Sequence, residues 1–287
     1  MEMPVAVALA RSVTALPTGP DWWFEPKFDG HRVVLLREPD AVRLQARSGR
    51  LVTAAWNDLA AAGEALPAGT VLDGEAVVWR EGRTDFGAVQ ARANSTPARA
   101  RELARQWPAS YAVWDLLAHP VHGDVRPRPY TERRALLLDV LSGLGPPIQP
   151  VPATDDRETA LVWYENLLDQ GIEGVVAKRG SGAYRAGRIW QKVRHAETVD
   201  AAVIGYTGPA DRADHLVVRL PDGRRALSQR LTAPLAARVS GHLHAHGPGR
   251  AARTDEDEPY RTTGAGLVVE VLAGTTRHTV VTVTRVR

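Results

Sequence analysis

The chain uses lysine so sparingly that each lysine calls for a chemical explanation. Its 36 basic side chains comprise 33 arginines and three lysines, which are Lys27, Lys178 and Lys192. Arginine serves wherever a fixed positive charge is enough, but it cannot replace an amine that must lose its proton to attack another atom. The three lysines are therefore candidates for a nucleophile or for phosphate contacts. A general bias toward arginine that leaves a few lysines at random is the alternative.

Lys27 lies just before a turn that can bring a second cation to it. It belongs to the run Glu25-Pro26-Lys27-Phe28-Asp29-Gly30-His31-Arg32, which an apolar run typical of a β-strand follows. Asp29-Gly30 is typical of a turn, and such a turn would return Arg32 to the pocket of Lys27, where a guanidinium can hold a phosphate or ribose oxygen. An ordinary hairpin with a surface lysine is the alternative.

Five later stretches each place polar or aromatic side chains beside an apolar run typical of a strand. Taken singly, each has an ordinary explanation, such as a polar turn, an exposed carboxylate or a tryptophan in the core. The stretches, with the residues that could do chemistry, are 44–50 with Arg47, 71–79 with Glu75, 111–117 with Trp114, 173–178 with Glu173 and Lys178, and 184–194 with Arg188, Lys192 and Arg194.

Together these stretches resemble the motifs of the covalent nucleotidyltransferases, a superfamily of DNA ligases, RNA ligases and mRNA capping enzymes. The run from Lys27 to Arg32 is similar to the superfamily's K-x-D-G-x-R signature, and the later stretches resemble its companion motifs in the same order. All three lysines fall where the superfamily places a lysine. The most similar members are compact bacterial ATP-dependent DNA ligases of the repair type.

The resemblance implies a role for each of these residues. Lys27 would be the catalytic nucleophile that carries AMP, and Trp114, where the family usually has phenylalanine, would stack on the base. The residues implied to bind ATP are Glu25, Lys27, Arg32, Arg47, Glu75, Trp114, Lys178, Arg188 and Lys192. Those implied to support them are Asp29, Gly30, Arg194, Arg285 and Arg287. A divalent cation, Mg²⁺ or Mn²⁺, would be held by Glu75 and Glu173.

The pattern along the chain predicts two domains of α+β class. Residues 1–197 are expected to form a nucleotidyltransferase domain of ATP-grasp-like adenylation type, built from antiparallel sheets and helices, and residues 198–287 a C-terminal OB-fold β-barrel, with a hinge at 196–198. The predicted helices are 55–65, 97–106, 131–142 and 156–170. The predicted barrel strands are 199–206, 216–220, 225–227, 266–272 and 279–286.

The C-terminal part also contains polar segments that we expect to be solvated loops. These are the alternating His242, His244 and His246, and the acidic run 255–258. Family members end in a motif like R-x-D-K, whereas this chain ends in Arg285-Val286-Arg287, so we expect either slow self-adenylylation or terminal arginines that suffice. The length leaves no room for an additional domain, which favours a minimal enzyme.

The composition excludes some classes of protein and permits others. The chain has no cysteine, which excludes disulfides and thiolate zinc sites, and no apolar run long enough to span a membrane. We expect a cytoplasmic bacterial monomer, nucleoid-associated when working, that uses ATP to seal 3′-OH/5′-phosphate nicks in duplex DNA alongside repair-pathway proteins. An RNA ligase, a capping-type guanylyltransferase and a non-catalytic nick-binding module are the alternatives.

Overall fold

A computed structural model describes residues 2–245, 249–254, 258–264, 266–274 and 280–287. The chain forms two compact units, Met1–Arg194 and His195–Arg287. The division follows Arg194, whereas the sequence predicted it after residue 197. Within the described ranges, no helix is long and apolar enough to cross a membrane.

The first unit alternates strands with helices along the chain. Its strands are β1 Ala8–Ser12, β2 Trp22–Phe28, β3 His31–Arg37, β4 Val42–Ala46, β5 Val71–Arg80, β6 Arg83–Thr84, β7 Ala109–His119, β8 Gly123–Asp124, β9 Ile148–Pro150, β10 Ile172–Arg179 and β11 Gly187–Arg194. Its helices are α1 Asn57–Gly63, α2 Phe86–Ala93, α3 Pro97–Gln106, α4 Tyr130–Val140 and α5 Arg157–Asn166, and a 3-10 helix follows at Leu168–Gln170.

The predicted helices correspond to α1, α3, α4 and α5, while α2 was not predicted. The sequence does carry a start signal for α2, because the Asp85 side chain accepts a hydrogen bond from the Ala88 amide at 2.9 Å and so caps the helix. Only eight residues follow the cap. This is too short for a clear helical repeat of apolar residues.

Two sheets make up the first unit. One has the strand order β1-β11-β10-β2, and the other has β4-β3-β5-β7-β8, with β6 beside β5 and β9 beside β7. One face of the first sheet packs Phe24, Val175 and Val193 against α5. One face of the second sheet packs Leu35 and Leu72 among the apolar residues of α1 and α4. Each sheet therefore buries one face under helices.

The other faces of the two sheets meet each other. Their contact includes Val34 and Leu36 of β3, packed in one buried cluster with Trp190 of β11. Side chains alternate between the faces of a strand. Since Phe24, Ala177 and Val193 point toward α5, Lys27, Lys178 and Lys192 all lie on the opposite face, toward the second sheet. Strand alternation thus brings the three lysines to one side of one sheet.

Gly174 sits at an irregularity in β10 that no other residue fits. The register between β10 and β2 shifts between Ile172 and Gly174, and Gly174 has a φ of 150°. A Cβ atom at this residue would run into the Val193 carbonyl of β11. Bulges re-aim the adjacent side chain, and Glu173, in the shifted segment, forms an ion pair with Lys27.

The second unit is built around a closed barrel. Its elements are β12 Ala196–Thr207, β13 His215–Arg219, β14 Arg225–Ser228, α6 Ala233–Ala245, β15 Ala251–Arg253, β16 Pro259–Thr262, β17 Val268–Gly274 and β18 Val280–Val286. The path β13-β14-β18-β17-β12 closes because β12 also pairs with β13. Val203, Leu216 and Val269 lie in its core. The five described barrel strands confirm the predicted OB-fold and α+β class.

Two expectations for the second unit were wrong. The predicted hinge at 196–198 is the start of β12, whose backbone pairs with β17. His242 and His244 lie on α6 and not in a loop, because Val239 and Leu243, one helical turn apart, bury one side of that segment. His246 and residues 255–257 of the acidic run lie outside the described residues, and Glu258 is exposed.

We expect Gly174→Ala to lower the free energy of unfolding by about 2 kcal/mol or more, because the new Cβ atom meets the Val193 carbonyl at an unfavourable φ. Thermal unfolding followed by circular dichroism should show Tm lowered by at least roughly 4 °C. Gly145→Ala is the control, since no atom lies within 4 Å of its Cβ position. Equal Tm values for the two variants would contradict the prediction.

Candidate active site

The Lys27 amine lies next to a carboxylate at the end of β2. Lys27 pairs with Gly174 in the register of β2 and β10, and its Nζ forms an ion pair with Oε2 of Glu173. Nζ also donates a hydrogen bond to the Phe28 carbonyl at 3.3 Å. The side chain is 21% exposed. The amine is therefore oriented by the protein and still open to a ligand.

Two further carboxylates surround this amine. The Asp29 carboxyl shares a hydrogen bond with Glu173, and burial together with the Glu173 charge raises the pKa of Asp29 to about 7, against the opposing effects of Lys27 and Arg194. Burial raises the pKa of Glu75 to about 8, although Lys27 and Arg32 act in the other direction. Three carboxyl groups thus lie within electrostatic reach of one amine.

A group of cations lies on the other side of Lys27. Lys27, Gly174 and Arg194 form one row across β2, β10 and β11. Burial, and then the neighbouring charges of Arg194 and Lys27, lower the pKa of Lys192 to about 8, and Arg47 acts in the same direction. Cations that destabilise one another in this way are stabilised by a bound anion such as phosphate.

Arg47 and Arg188 extend this cationic side. Arg47 is exposed directly after β4, and its charge reaches Lys192. Arg188 is exposed on β11. The register of β11 against β1 shifts between Arg188 and Trp190, so strand alternation does not place Arg188 on the face of Lys192 and Arg194. The structure therefore brings Arg47, Lys192 and Arg194 together and leaves Arg188 exposed further along β11.

Arg32 is held by the protein more firmly than the sequence suggested. Its guanidinium bonds both carboxylate oxygens of Asp73, at 3.0 and 2.6 Å, and the Ala8 carbonyl at 2.5 Å. It lies 5.2 Å from the Trp114 ring centroid and 5.6 Å from that of Trp190. Sequence analysis missed Asp73, although the aspartate of the D-G-E motif shares a strand face with Glu75.

Lys178 and Glu25 lie deeper than the resemblance implied. The Lys178 side chain is 1% exposed, and its Nζ contacts Glu25 Oε2 at 2.8 Å and the Trp114 carbonyl at 2.9 Å. Tyr130 donates a hydrogen bond to Glu25 at 2.6 Å. Both charged groups are thus satisfied by the protein. The proposal that Glu25 and Lys178 bind ATP therefore rests on the resemblance, and their contacts give them a role in holding the site together.

A second buried pair continues this cluster. Arg133 bonds both oxygens of Asp115, at 2.7 and 2.9 Å, and donates to the Gly182 carbonyl at 2.9 Å. Asp115 Oδ2 also lies 3.9 Å from Lys178 Nζ. Sequence analysis assigned no role to Arg133. Arg133 is buried in α4, and the periodicity of apolar residues does not predict that a charged side chain takes a buried position of a helix.

Trp114 lies where the two sheets meet. Its side chain is partly buried in the cluster that contains Leu117 and Trp190. Its carbonyl accepts the Lys178 hydrogen bond and its ring lies beside the Arg32 guanidinium. The next residue, Asp115, is clamped by Arg133. Ion pairs therefore fix the backbone on which this aromatic ring is carried.

Arg287 forms ion pairs with acidic groups of the second unit. Arg287 contacts Asp200 at 2.9 Å and Glu270 at 2.8 Å. Arg285 is exposed on β18 and pairs in register with Glu270. In the described residues, no group of three or more His, Asp or Glu side chains is arranged to hold a metal ion by itself.

Lys178→Met should destabilise the protein by about 3–5 kcal/mol, because it leaves the Glu25 charge buried with one partner fewer. The double variant Glu25→Gln/Lys178→Met should lose less than the sum of the two single variants. Urea unfolding of the four proteins measures both effects. A Lys178→Met protein with unchanged stability and a specific loss of nucleotide transfer would contradict the structural role.

In metal-free buffer with EDTA, stability should fall as pH rises from about 4.5 to about 8, partly because of Glu75. Its pKa rises from 4.5 to about 8 on folding, so the folded state keeps a proton that the unfolded state loses in this range. Each such proton contributes a slope of at most about 1.4 kcal/mol per pH unit.

Glu75→Gln should flatten the dependence of unfolding free energy on pH, with Asp29 giving the remaining slope. Exposed Glu102→Gln is the control, and an unchanged slope in Glu75→Gln would contradict the assignment.

Two bacterial relatives resemble the chain over most of its sequence. It is 40% identical over 209 residues to DNA ligase C of Mycobacterium tuberculosis, covering 71% of this chain and 58% of that protein. It is 36% identical over 230 residues to DNA ligase C2 of Mycolicibacterium smegmatis, covering 78% of this chain and 64% of the relative. The chain thus spans about three fifths of the length of each.

A solved structure shares the two-unit architecture. The mycobacterial DNA ligase D complexed with ATP and MES superimposes with a TM-score of 0.57 and 26% identity, over 98% of this chain and 94% of that one. Residues 5–194 match the family described as ATP dependent DNA ligase domain, a range that contains Lys27 and the groups around it. The chain belongs to the ATP-dependent DNA ligase family.

Proposed function

We propose that the chain is an ATP-dependent DNA ligase that seals 3′-OH/5′-phosphate nicks in duplex DNA through AMP carried on Lys27. The observation that carries this proposal is the Lys27 amine, which lies between the carboxylate of Glu173 and the cations Lys192 and Arg194. An amine can attack the phosphorus of a nucleotide when nearby cations stabilise the charge that develops on the phosphate oxygens.

The proposed reaction has three steps. The Lys27 nitrogen bonds to the α-phosphorus of ATP as the bond to pyrophosphate breaks, and Glu173, already in contact with Nζ, is placed to receive the amine proton. AMP then moves to the oxygen of a 5′-phosphate, which frees Lys27. Finally the neighbouring 3′-hydroxyl attacks that phosphorus, and AMP leaves as the strand closes. The covalent intermediate preserves the energy of ATP between steps.

Several groups would serve the nucleotide in these steps. Lys192 and Arg194 would contact the phosphates, and the charge of Arg47 reaches the same place. Arg188 would bind ATP from further along β11. The Trp114 ring offers a face to the base, on a backbone held by Lys178. Arg32 is held in place by Asp73, so it would form a fixed wall of this pocket that does not move when the ligand binds.

The carboxylates fit a divalent cation that arrives with the nucleotide. Mg²⁺ is usually held by one or two carboxylates together with substrate phosphates, so a complete protein cage is not needed. Glu75 and Glu173 would hold it. Burial, followed by repulsion from neighbouring carboxyl groups, raises the pKa of Asp29 and Glu75, and a bound cation would favour the ionised carboxylates. Bound there, Mg²⁺ or Mn²⁺ would neutralise phosphate charge.

We further propose that the first unit, predicted from the sequence as residues 1–197, is the adenylation domain, and that the second, predicted as 198–287, is an OB domain that contacts nicked duplex DNA. The closed barrel carries exposed arginines, including Arg219 and Arg225, which pair in register across β13 and β14. Such cations suit a phosphate backbone. The protein would act as a monomer in the bacterial cytoplasm, at the nucleoid, with repair-pathway proteins.

Incubation with ATP labelled at the α-phosphate should place label on the wild-type chain and none on Lys27→Ala or Lys27→Arg, since neither variant has an amine at this point. Mass spectrometry of the digested protein should find AMP on the peptide that contains Lys27. Arg99→Ala is the matched control, because Arg99 is exposed on α3 and pairs with Glu102. Equal labelling of the Lys27 variants would overturn the assignment.

Substrate choice is tested with the same protein. Sealing of a singly nicked duplex, followed on a denaturing gel, should require ATP and favour nicked DNA over nicked RNA. GTP in place of ATP should give neither label nor sealing. Preference for RNA or GTP would instead indicate an RNA ligase or a guanylyltransferase, and nick binding without label would indicate a binding module.

A further inference from the structure

A partly exposed aromatic pair follows the reactive lysine in the fold, with Phe28 half-buried and Trp79 exposed. Phe28 directly follows Lys27, and its ring lies 6.4 Å from the Trp79 ring at an interplanar angle of 81°. Trp79 is 40% exposed. Among the described residues, the other large apolar side chains with high exposure are aliphatic. It lies four residues after Glu75 on the same face of β5. The pair therefore lies at the edge of the site.

The pair is carried on fixed elements. Trp79 pairs in register with Thr84 of β6, and the Thr84 hydroxyl donates a hydrogen bond to the Gly171 carbonyl at 3.0 Å. The adjoining Arg80 forms an ion pair with Asp85 at 2.9 Å, and Asp85 caps α2. Because the hairpin is anchored at both strands, the exposed indole is a preformed surface and not the tip of a loop.

The other aromatic rings around the site already have cationic partners. Arg32 lies over Trp114, and Lys178 lies over Tyr130 at 4.9 Å and over Trp190 at 4.4 Å. In the part of the chain that the structure describes, no cation lies over Phe28 or Trp79. These two rings are thus left available for a ligand that lies beside Lys27.

We propose that Phe28 and Trp79 form a stacking surface for the nucleoside at the strand end next to the reacting phosphate. This inference rests on the proposed function. AMP on Lys27 must be delivered to a strand end, so the terminal nucleoside of that end reaches the groups that border Lys27. Aromatic side chains stack on any base because every base presents a π-face. The surface therefore recognises a strand end without reading its sequence.

The test compares two steps of the reaction in Trp79 variants. Label uptake from ATP without DNA reports the first step, and single-turnover sealing of a nicked duplex reports the later ones. Trp79→Leu and Trp79→Ala should lose at least about tenfold more in sealing than in label uptake, the size expected when one base loses its stacking partner. Trp79→Phe should recover most of the sealing. Leu138→Ala, another exposed apolar residue, should show no difference between the two steps.

Substrates that lack one base identify the stacked strand end. Tetrahydrofuran replaces the base either at the 5′-phosphate nucleotide or at the 3′-hydroxyl nucleotide of the nick. The wild type should lose about tenfold in sealing with one of these substrates, whereas Trp79→Leu, which keeps apolar packing against Phe28, should lose little further. The abasic substrate on which the wild type loses more sealing than Trp79→Leu identifies the strand end whose base stacks on Trp79.

The outcomes separate this inference from the proposed function. Wild-type and Trp79→Leu proteins with equal losses on both abasic substrates overturn the stacking surface and leave ligation intact. Equal losses of label uptake and sealing in Trp79→Leu also overturn it, since they indicate a role in the fold or in ATP binding. A wild type that takes up no label overturns the proposed function, and the stacking surface with it.

Discussion

Two largely buried cations that donate hydrogen bonds to carbonyls of the opposite sheet hold the first unit together, and the rest of the site depends on these contacts. Arg32 reaches from β3 to the Ala8 carbonyl of β1, and Lys178 reaches from β10 to the Trp114 carbonyl of β7. A charge in such an interior is tolerated only when it is paired and hydrogen-bonded. The paired carboxylates of Asp73 and Glu25 meet this condition, so the spacing of the sheets is set by polar contacts as well as by apolar packing.

The position of the nucleophile follows from how the chain passes between these sheets. Lys27 is near the end of β2 in the first sheet, Arg32 near the start of β3 in the second, and Asp29-Gly30 makes the crossing. A Cβ atom on Gly30 would meet the Ala76 backbone carbonyl and Glu75. The spacing of the K-x-D-G-x-R run is therefore explained by the topology of the chain. The run places an amine and a guanidinium on different sheets, with one tight turn between them.

Much of this arrangement could be predicted from the sequence, and the misses have physical causes. Strand alternation explains why Lys27 and Lys192 meet, and the closed barrel follows from its short strands. The depth of Lys178 could not be predicted, because depth depends on which strands pair and on the partners that satisfy the charge. Helix α6 was not predicted, because alternating histidines in a glycine-rich stretch are typical of a loop, whereas the helical spacing of Val239 and Leu243 decides the structure.

The scarcity of lysine therefore has two explanations rather than one. Lys27 and Lys192 are partly exposed and lie among charges that a phosphate would balance. Lys178 is a lysine for a geometric reason, since its compact ammonium fits between the Glu25 carboxylate and the Trp114 carbonyl, with the Tyr130 and Trp190 rings beside it. A planar guanidinium with five donors would not fit that space with all its donors satisfied. The position of each lysine relative to the surface thus determines which contacts it makes with the protein.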